Sequence, residues 1–134
     1  IRGLRDAGIA APVLGPAALA APEVAGRAGS LGEVIVAAPF DLSREDAQLL
    51  DFVKRYKGRN GIFPSPVAFY AYDAARMVVK AIEATGLNRA RIRDELAQMS
   101  FDGATGKIEF DSLRGNIAQP VLMTLRNGRW RRLN

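Results

Sequence analysis

The pattern of apolar and polar positions predicts one long helix in the middle of the chain. The stretch "SPVAFYAYDAARMVVKAIEATG", Ser65 to Gly86, is apolar on most sides. Its charged residues recur every three or four positions, which places them on one stripe of a helix. They are Asp73, Arg76, Lys80 and Glu83. Ser65 can cap this helix, Pro66 suits its first position and Gly86 ends it. The segment therefore predicts a helix roughly 30 Å long.

Two apolar runs near the start of the chain predict strands of a parallel sheet. Residues 11–16 form a short run bounded by Pro and Gly, and residues 33–41 are β-branched and uninterrupted, which is typical of a strand covered on both faces. A helix is expected between them over Pro22–Gly29, and an earlier helix ends at Gly8. Helices that alternate with strands in this way indicate the α/β fold class.

The rest of the chain predicts helices followed by antiparallel strands. A helix is expected to begin at Ser43, with Asp46 completing a capping box. A further helix spans Asn88 to Met99, and a strand follows at Lys107–Phe110. The chain ends in a predicted β-hairpin whose turn is Asn127-Gly128, the preferred pair for a type I′ turn.

Composition excludes several kinds of chemistry. The 134 residues contain no Cys and no His, which removes disulfides, Cys nucleophiles, His general bases and the usual zinc sites. The net charge of +5 lies mostly after Asn88 and is densest at Arg129–Arg132. Those residues lie on a predicted strand, so alternate side chains point to opposite faces and form no basic stripe. We therefore expect neither a nucleic-acid partner nor a cofactor nor a metal.

Two loops that follow the predicted parallel strands are candidate binding sites. Ligands of open α/β sheets usually bind at the carboxyl ends of the strands. The first loop offers Pro16, Ala17 and Ala18, and the second offers Phe40 and Asp41. Ordinary turn chemistry is the alternative interpretation of both loops.

The long helix carries further candidates, each with a structural alternative. Phe69 and Tyr70, next to Tyr72, could wall an apolar pocket or pack in the core. Asp73 could contact a ligand or act as a switch, or it could be a surface charge that pairs with Arg76. Asp102–Gly106, "DGATG", lacks phosphate-loop spacing and predicts a turn.

Five segments in this order resemble the C-terminal part of type I periplasmic binding proteins. The closest group is the branched-chain amino-acid-binding (leucine-binding) family of ABC transporters. The segments are "LRDAGIAAPVLGPAAL", "GEVIVAAPFD", "FVKRYKGRNGIFPSPVAFYAYDAARMVVKAIEATG", "IRDELAQMSFDGATGKIEFDSLRGN" and "PVLMTLRNGRW". The resemblance implies two α/β lobes with a ligand cleft between them. It assigns residues 1–41 to the second lobe, 42–117 to the first, and 118–134 to a hairpin that returns to the second.

The resemblance also implies a function. It predicts an exported, non-enzymatic solute-binding component of an importer, whose partners are a small solute and the transporter's membrane subunits. Relatives that bind amino acids carry an acidic side chain where this chain has Ala17 or Ala18, so the resemblance favours a carboxylate that lacks an amine. The chain is expected to be a fragment that forms a homodimer, because its long helix needs another partner. A ligand-sensing regulatory or receptor domain is the alternative, distinguished by a fused signalling or transmembrane domain. A third hypothesis for the function is an enzyme on an α/β scaffold.

Overall fold

The computed structural model describes residues 1–20, 24, 26 and 32–133, and it divides into two compact units. The first unit comprises Ile1–Glu45, Phe63–Pro66 and Gln119–Asn134, and the second comprises Asp46–Ile62 and Val67–Ala118. The helices are α1 (Arg2–Asp6), α2 (Ala47–Asn60), α3 (Pro66–Thr85) and α4 (Arg89–Gln98). The strands are β1 (Val13–Pro16), β2 (Val34–Ala38), β3 (Phe101–Gly103), β4 (Gly106–Ile108), β5 (Val121–Arg126) and β6 (Arg129–Arg132). The helix predicted at Pro22–Gly29 lies mostly outside the described residues.

The first unit is built on a four-stranded mixed sheet in the order β1-β2-β5-β6. β1 and β2 pair in parallel, from Val13 opposite Val34 to Pro16 opposite Ala37. β5 pairs with β2 and β6 in antiparallel fashion. The two parallel strands and the C-terminal hairpin predicted from the sequence are thereby confirmed.

One face of this sheet carries the core of the first unit. Val34, Val36 and Ala38 of β2 are buried and pack with Met123 and Leu125 of β5, because alternate residues of a strand share a face. On the other face Ile35 is half-buried and Ala37 is exposed. The prediction that this strand is covered on both faces is therefore wrong for the described residues, which bury only one of them.

The second unit is held together by aromatic and aliphatic clusters. The ring of Phe52 on α2 stacks on Tyr72 of α3 with centroids 4.3 Å apart, and it meets Phe69 edge-on at 4.9 Å. A second cluster joins α3 to the short β3–β4 hairpin. Its buried members are Met77, Ala81, Met99, Phe101 and Ile108.

The helix boundaries follow local capping chemistry, with one correction. α3 begins at Pro66 and ends before Gly86, whose φ of 74° is left-handed, as the sequence predicts. The N-cap of α2 is Asp46, whose carboxylate accepts a hydrogen bond from the Leu49 N–H. The prediction that this helix begins at Ser43 is wrong, because the Ser43 hydroxyl bonds instead to Asp41.

The two hairpins differ in how well the sequence anticipates them. At the β5–β6 turn Asn127 and Gly128 have φ values of 52° and 73°, as a type I′ turn requires. The strand predicted at Lys107–Phe110 is shifted, because β4 comprises Gly106–Ile108. Phe110 leaves the β3–β4 ladder and forms an isolated bridge with Asn116. The turn predicted within Asp102–Gly106 is confirmed, since it joins β3 to β4.

Candidate functional site

The carboxyl ends of β1 and β2 lie side by side in the first unit. Their parallel register sets Pro16 opposite Ala37, so the loops that follow them leave from the same edge of the sheet. After β1 the chain makes a single 3₁₀ turn over Ala17–Ala20. This is the edge at which ligands of open α/β sheets usually bind.

The loop after β1 offers backbone groups and small side chains. Pro16 and Ala18 are exposed and Ala17 is half-buried. The loop is compact because the Leu19 side chain folds back over Gly15, where an added Cβ would lie 3.2 Å from Leu19 Cγ. Any ligand at this loop would therefore meet main-chain atoms and methyl groups, with no ionisable side chain.

The loop after β2 contains an acidic residue that organises its own turn. Oδ1 of Asp41 accepts hydrogen bonds from the Ser43 N–H at 2.8 Å and from the Ser43 hydroxyl at 2.6 Å. Phe40 beside it is buried. The structure thus brings both loops to one edge, and their role in binding stays a prediction.

The two aromatic candidates on α3 lie in the second unit and differ from each other. Phe69 is fully buried against Phe52, so it packs in the core of the structure. Tyr70 is partly exposed, and burial together with the charge of Asp73 raises the pKa of its phenol above the ordinary value. Tyr70 alone of this pair presents surface on which a ligand could lie; ligand binding by either residue stays a prediction.

Asp73 has a role that sequence reasoning missed. Its side chain is only 1% exposed. One carboxylate oxygen accepts the Ala104 N–H at 2.8 Å, and the other accepts the Thr105 N–H at 2.8 Å and the Thr105 hydroxyl at 2.7 Å. Asp73 therefore fixes the β3–β4 turn to α3, and the prediction that it is a surface charge paired with Arg76 is wrong.

Gly103 makes room for this buried carboxylate. A Cβ at this position would lie 2.5 Å from Asp73 Cγ and 2.7 Å from its Oδ1. The "DGATG" sequence thus supplies two backbone donors, one hydroxyl and one position without a side chain. An Asp on an apolar helix followed by a Gly-Ala-Thr-Gly turn is the signal that could have indicated the contact.

An open groove of about 660 Å³ lies beside this contact in the second unit. The Arg76 guanidinium lies 5.1 Å from the centre of the Phe101 ring, and the Lys80 ammonium lies 5.7 Å from it. Glu83 and Asp102 also line the groove, so its formal charge is balanced. Nothing in this arrangement selects an anionic or a cationic ligand.

The residues that the structure describes contain neither a metal-binding cluster nor a membrane-spanning helix. Within residues 1–20, 24, 26 and 32–133, no group of three or more His, Cys, Asp or Glu side chains could hold a metal ion. Over the same part of the chain, no helix combines the length and the apolar character needed to span a bilayer.

The fold is that of type I periplasmic binding proteins, as comparison with solved structures shows. The chain superimposes with a TM-score of 0.80 on the leucine-binding protein LivK of Thermotoga maritima, at 25% identity over 99% of this chain and 39% of that one. It matches LivJ of Streptococcus pneumoniae in complex with isoleucine, with a TM-score of 0.80 at 26% identity over 96% and 38%. It also matches a solute-binding protein of R. palustris in complex with benzoate, with a TM-score of 0.78 at 22% identity over 98% and 38%.

The family is shown by the sequence as well. A family model described as periplasmic binding protein matches residues 1–127, nearly the whole chain, and the chain belongs to that family. No curated protein matches the sequence. The chain spans about two fifths of the length of the three structures above.

Proposed function

We propose that this chain is part of the solute-binding component of an ABC importer. It is non-enzymatic and exported, and it delivers a small organic solute to the transporter's membrane subunits. The observation that carries the proposal is the paired carboxyl edge of β1 and β2, found in a chain of the periplasmic binding protein family. Support also comes from the similarity to LivK, a leucine-binding protein, and to LivJ, the substrate-binding protein of a branched-chain amino-acid transporter.

The mechanism we infer is closure of two lobes on the solute. We assign residues 1–41 and 118–134 to the second lobe and 42–117 to the first, an assignment supported by the division of the chain into two compact units. A solute that contacts both lobes binds the closed form more tightly and shifts the population toward it. The transporter would then recognise the closed form.

The solute class we infer is a carboxylate without an amine. Burying an ammonium group without a counter-charge is costly, and Ala17 and Ala18 provide none. Asp41 stands at the same edge, where two hydrogen bonds from Ser43 to its Oδ1 tie the carboxylate to its own turn. The fold itself leaves the choice open, since related structures hold isoleucine in one case and benzoate in another.

A thermal-shift screen of the full-length mature protein tests the proposal. The panel contains leucine, isoleucine, valine, benzoate and short aliphatic acids, with calorimetry for each compound that shifts the melting temperature. We expect acids without an amine to stabilise the protein and the three amino acids to leave it unchanged. Strong binding of leucine would contradict the inferred solute class but preserve solute binding. Stabilisation by no compound would count against solute binding itself.

A pair of substitutions tests the missing counter-charge directly. Ala17→Glu and Ala18→Glu, made one at a time, place a carboxylate on the loop after β1. If this loop faces the solute, at least one variant should gain affinity for leucine and lose affinity for the simple acid. Ala17→Gln and Ala18→Gln are the matched controls, because they add similar volume without the charge. Equal behaviour of the Glu and Gln variants would place the counter-charge elsewhere.

We also infer that the 134-residue chain forms a homodimer when it is produced by itself. Val67 is 74% exposed and Val78 is 42% exposed, and their separation of three helical turns puts them on one face of α3. Exposed apolar faces of this kind favour association. Light scattering should give a dimer for the chain, a monomer for Val67→Glu with Val78→Glu, and a dimer for the control Glu83→Lys. A folded monomeric wild type would contradict the inference.

A further inference from the structure

A second groove in the second unit combines an apolar floor with a rim of arginines. It is open, has a volume of about 400 Å³, and lies between α4 and the segment that follows β4. The floor is formed by Ile92, Leu96 and Phe110, and the rim by Arg89, Arg93 and Arg114. We call this surface the Arg-rimmed groove.

The floor of the groove is an extension of the core. Ile92, Leu96 and Phe110 are half-buried and pack against the cluster of Met77, Ala81, Met99, Phe101 and Ile108. Their inner surfaces are therefore held rigidly, while their outer surfaces form the bottom of the depression. Side chains that are already held in place lose little conformational entropy when a partner binds to them.

The rim of the groove carries an excess of positive charge, because two of its three arginines have no ion-pair partner among the described residues. Within the part of the chain that the structure describes, no carboxylate lines the groove, and neither Arg89 nor Arg114 has an ion-pair partner. Arg93 alone pairs with a neighbour, since its Nε donates to Asp94 at 2.8 Å. Arg89 lies in the first turn of α4, where the helix dipole disfavours a cation. Helix stability therefore does not explain this arginine.

Arg114 is held by a turn that fixes its backbone. Its φ of 65° is left-handed, which is uncommon for a residue with a side chain. Asp111 enforces the turn, because its Oδ1 accepts the Leu113 N–H at 2.9 Å and the Gly115 N–H at 2.7 Å. The Asp111 carboxylate thus organises the loop that brings Arg114 to the groove.

We propose that the Arg-rimmed groove docks an acidic amphipathic segment of a partner protein. An open depression suits a segment laid across it, whereas small ligands are usually enclosed. One or two large apolar side chains of the segment would cover the floor, in the manner of a helix in a groove. Carboxylates on either side would meet Arg89 and Arg114, so the charges complement each other. The groove residues belong to the second unit, whereas the carboxyl edge of β1 and β2 belongs to the first.

A peptide-display selection on the full-length protein tests this proposal. A library of random helical peptides is selected on the wild type and counter-selected on the double variant Arg89→Glu with Arg114→Glu. The affinities of the enriched peptides are then measured by fluorescence anisotropy. Arg91→Glu is the matched control, because Arg91 is exposed on the same helix and does not line the groove. Circular dichroism establishes that each variant is folded.

We expect the enriched peptides to be acidic around one or two Leu or Phe residues. The double variant should weaken their binding at least tenfold, and Arg91→Glu should change it less than twofold. Raising the salt concentration should weaken binding to the wild type. Enrichment of peptides without acidic residues, no enrichment at all, or equal losses in Arg91→Glu would overturn the proposal. So would Arg89- and Arg114-dependent binding to anionic lipid vesicles without any peptide binding, since that would identify a membrane surface.

Discussion

The contact between Asp73 and the β3–β4 turn supports a quantitative prediction about stability. Two substitutions break it from opposite sides: Asp73→Ala removes the acceptor, and Gly103→Ala inserts a methyl group into the space that the acceptor occupies. The φ of Gly103 lies outside the left-handed region, so alanine is allowed by the backbone and its cost is steric. The two substitutions should therefore depend strongly on each other.

The magnitudes follow from the groups left without partners. Asp73→Ala leaves the buried N–H groups of Ala104 and Thr105 without an acceptor, and each costs about 1–3 kcal/mol. The variant no longer has to desolvate the carboxylate, so we expect a net loss of about 3–4 kcal/mol in the free energy of unfolding. Gly103→Ala should cost about 2–3 kcal/mol as an overpacked site. In the double variant the methyl group occupies the space of the deleted carboxylate. The double variant should thus lose only about 3–4 kcal/mol, with a coupling of about 2–3 kcal/mol.

Urea unfolding followed by far-ultraviolet circular dichroism measures these values. The signal reports on the second unit, because α2 and α4 lie in it and α3 does from Val67 onward. An unchanged slope against urea among the variants indicates that the comparison is one of stability. If the two losses add within about 0.5 kcal/mol, the carboxylate and the glycine do not share one space, and the account of the contact is refuted.

Three further predictions concern other elements. Asp46→Ala should destabilise α2 by about 1 kcal/mol because it removes the N-cap acceptor. Ser43→Ala should cost clearly less, and urea unfolding measures both losses. An equal loss in the two variants would contradict the assignment of the cap. Gly128→Ala should cost about 1 kcal/mol by thermal melting because φ is 73° there, with Gly58→Ala in α2 as a control that is not destabilising. Burial and then the Asp73 charge raise the pKa of Tyr70 above 10.0, so the neutral phenol favours folding below that pH and the stabilisation is lost as the pH rises through the folded-state pKa. In a spectrophotometric titration, the ionisation of the Tyr70 phenol should disappear in Tyr70→Phe and move to lower pH in Asp73→Asn. An unchanged titration in both variants would contradict this prediction.

The sequence predicted the elements whose signals are local. The Pro66 start and Gly86 end of α3, the helix predicted from Asn88 to Met99 and the Asn127-Gly128 turn each depend on a few adjacent residues. The parallel pairing of β1 with β2 follows from the alternation of strands and helices. The fold class could be predicted for the same reason.

The features that the sequence could not predict depend on contacts between distant residues. Spacing put Asp73 on a charged stripe, but its donors lie on a turn about thirty residues later. Ser43 and Asp46 both suit an N-cap. Asp46 caps the helix, because the Ser43 hydroxyl donates its hydrogen bond to Asp41. The Arg-rimmed groove requires the fold as well, because Arg89 and Arg114 are distant in sequence and line one groove only in the folded chain. The carboxyl edge of β1 and β2 is predictable because strand topology places it, whereas the solute class depends on side chains that the topology does not fix.

The position of β5 in the sheet has a consequence for biosynthesis. β5 comes from the last residues of the chain, yet it lies between β2 and β6 and covers β2 along one edge. While the chain is still emerging from the ribosome, β1 and β2 would present an apolar pair with an unpaired side, open to wrong partners. The intervening helices can fold in the meantime, because their contacts are close in sequence. Nonsense mutations that fall between the codons for β2 and those for β5 should therefore be severe, since they leave that edge of β2 bare in every molecule made.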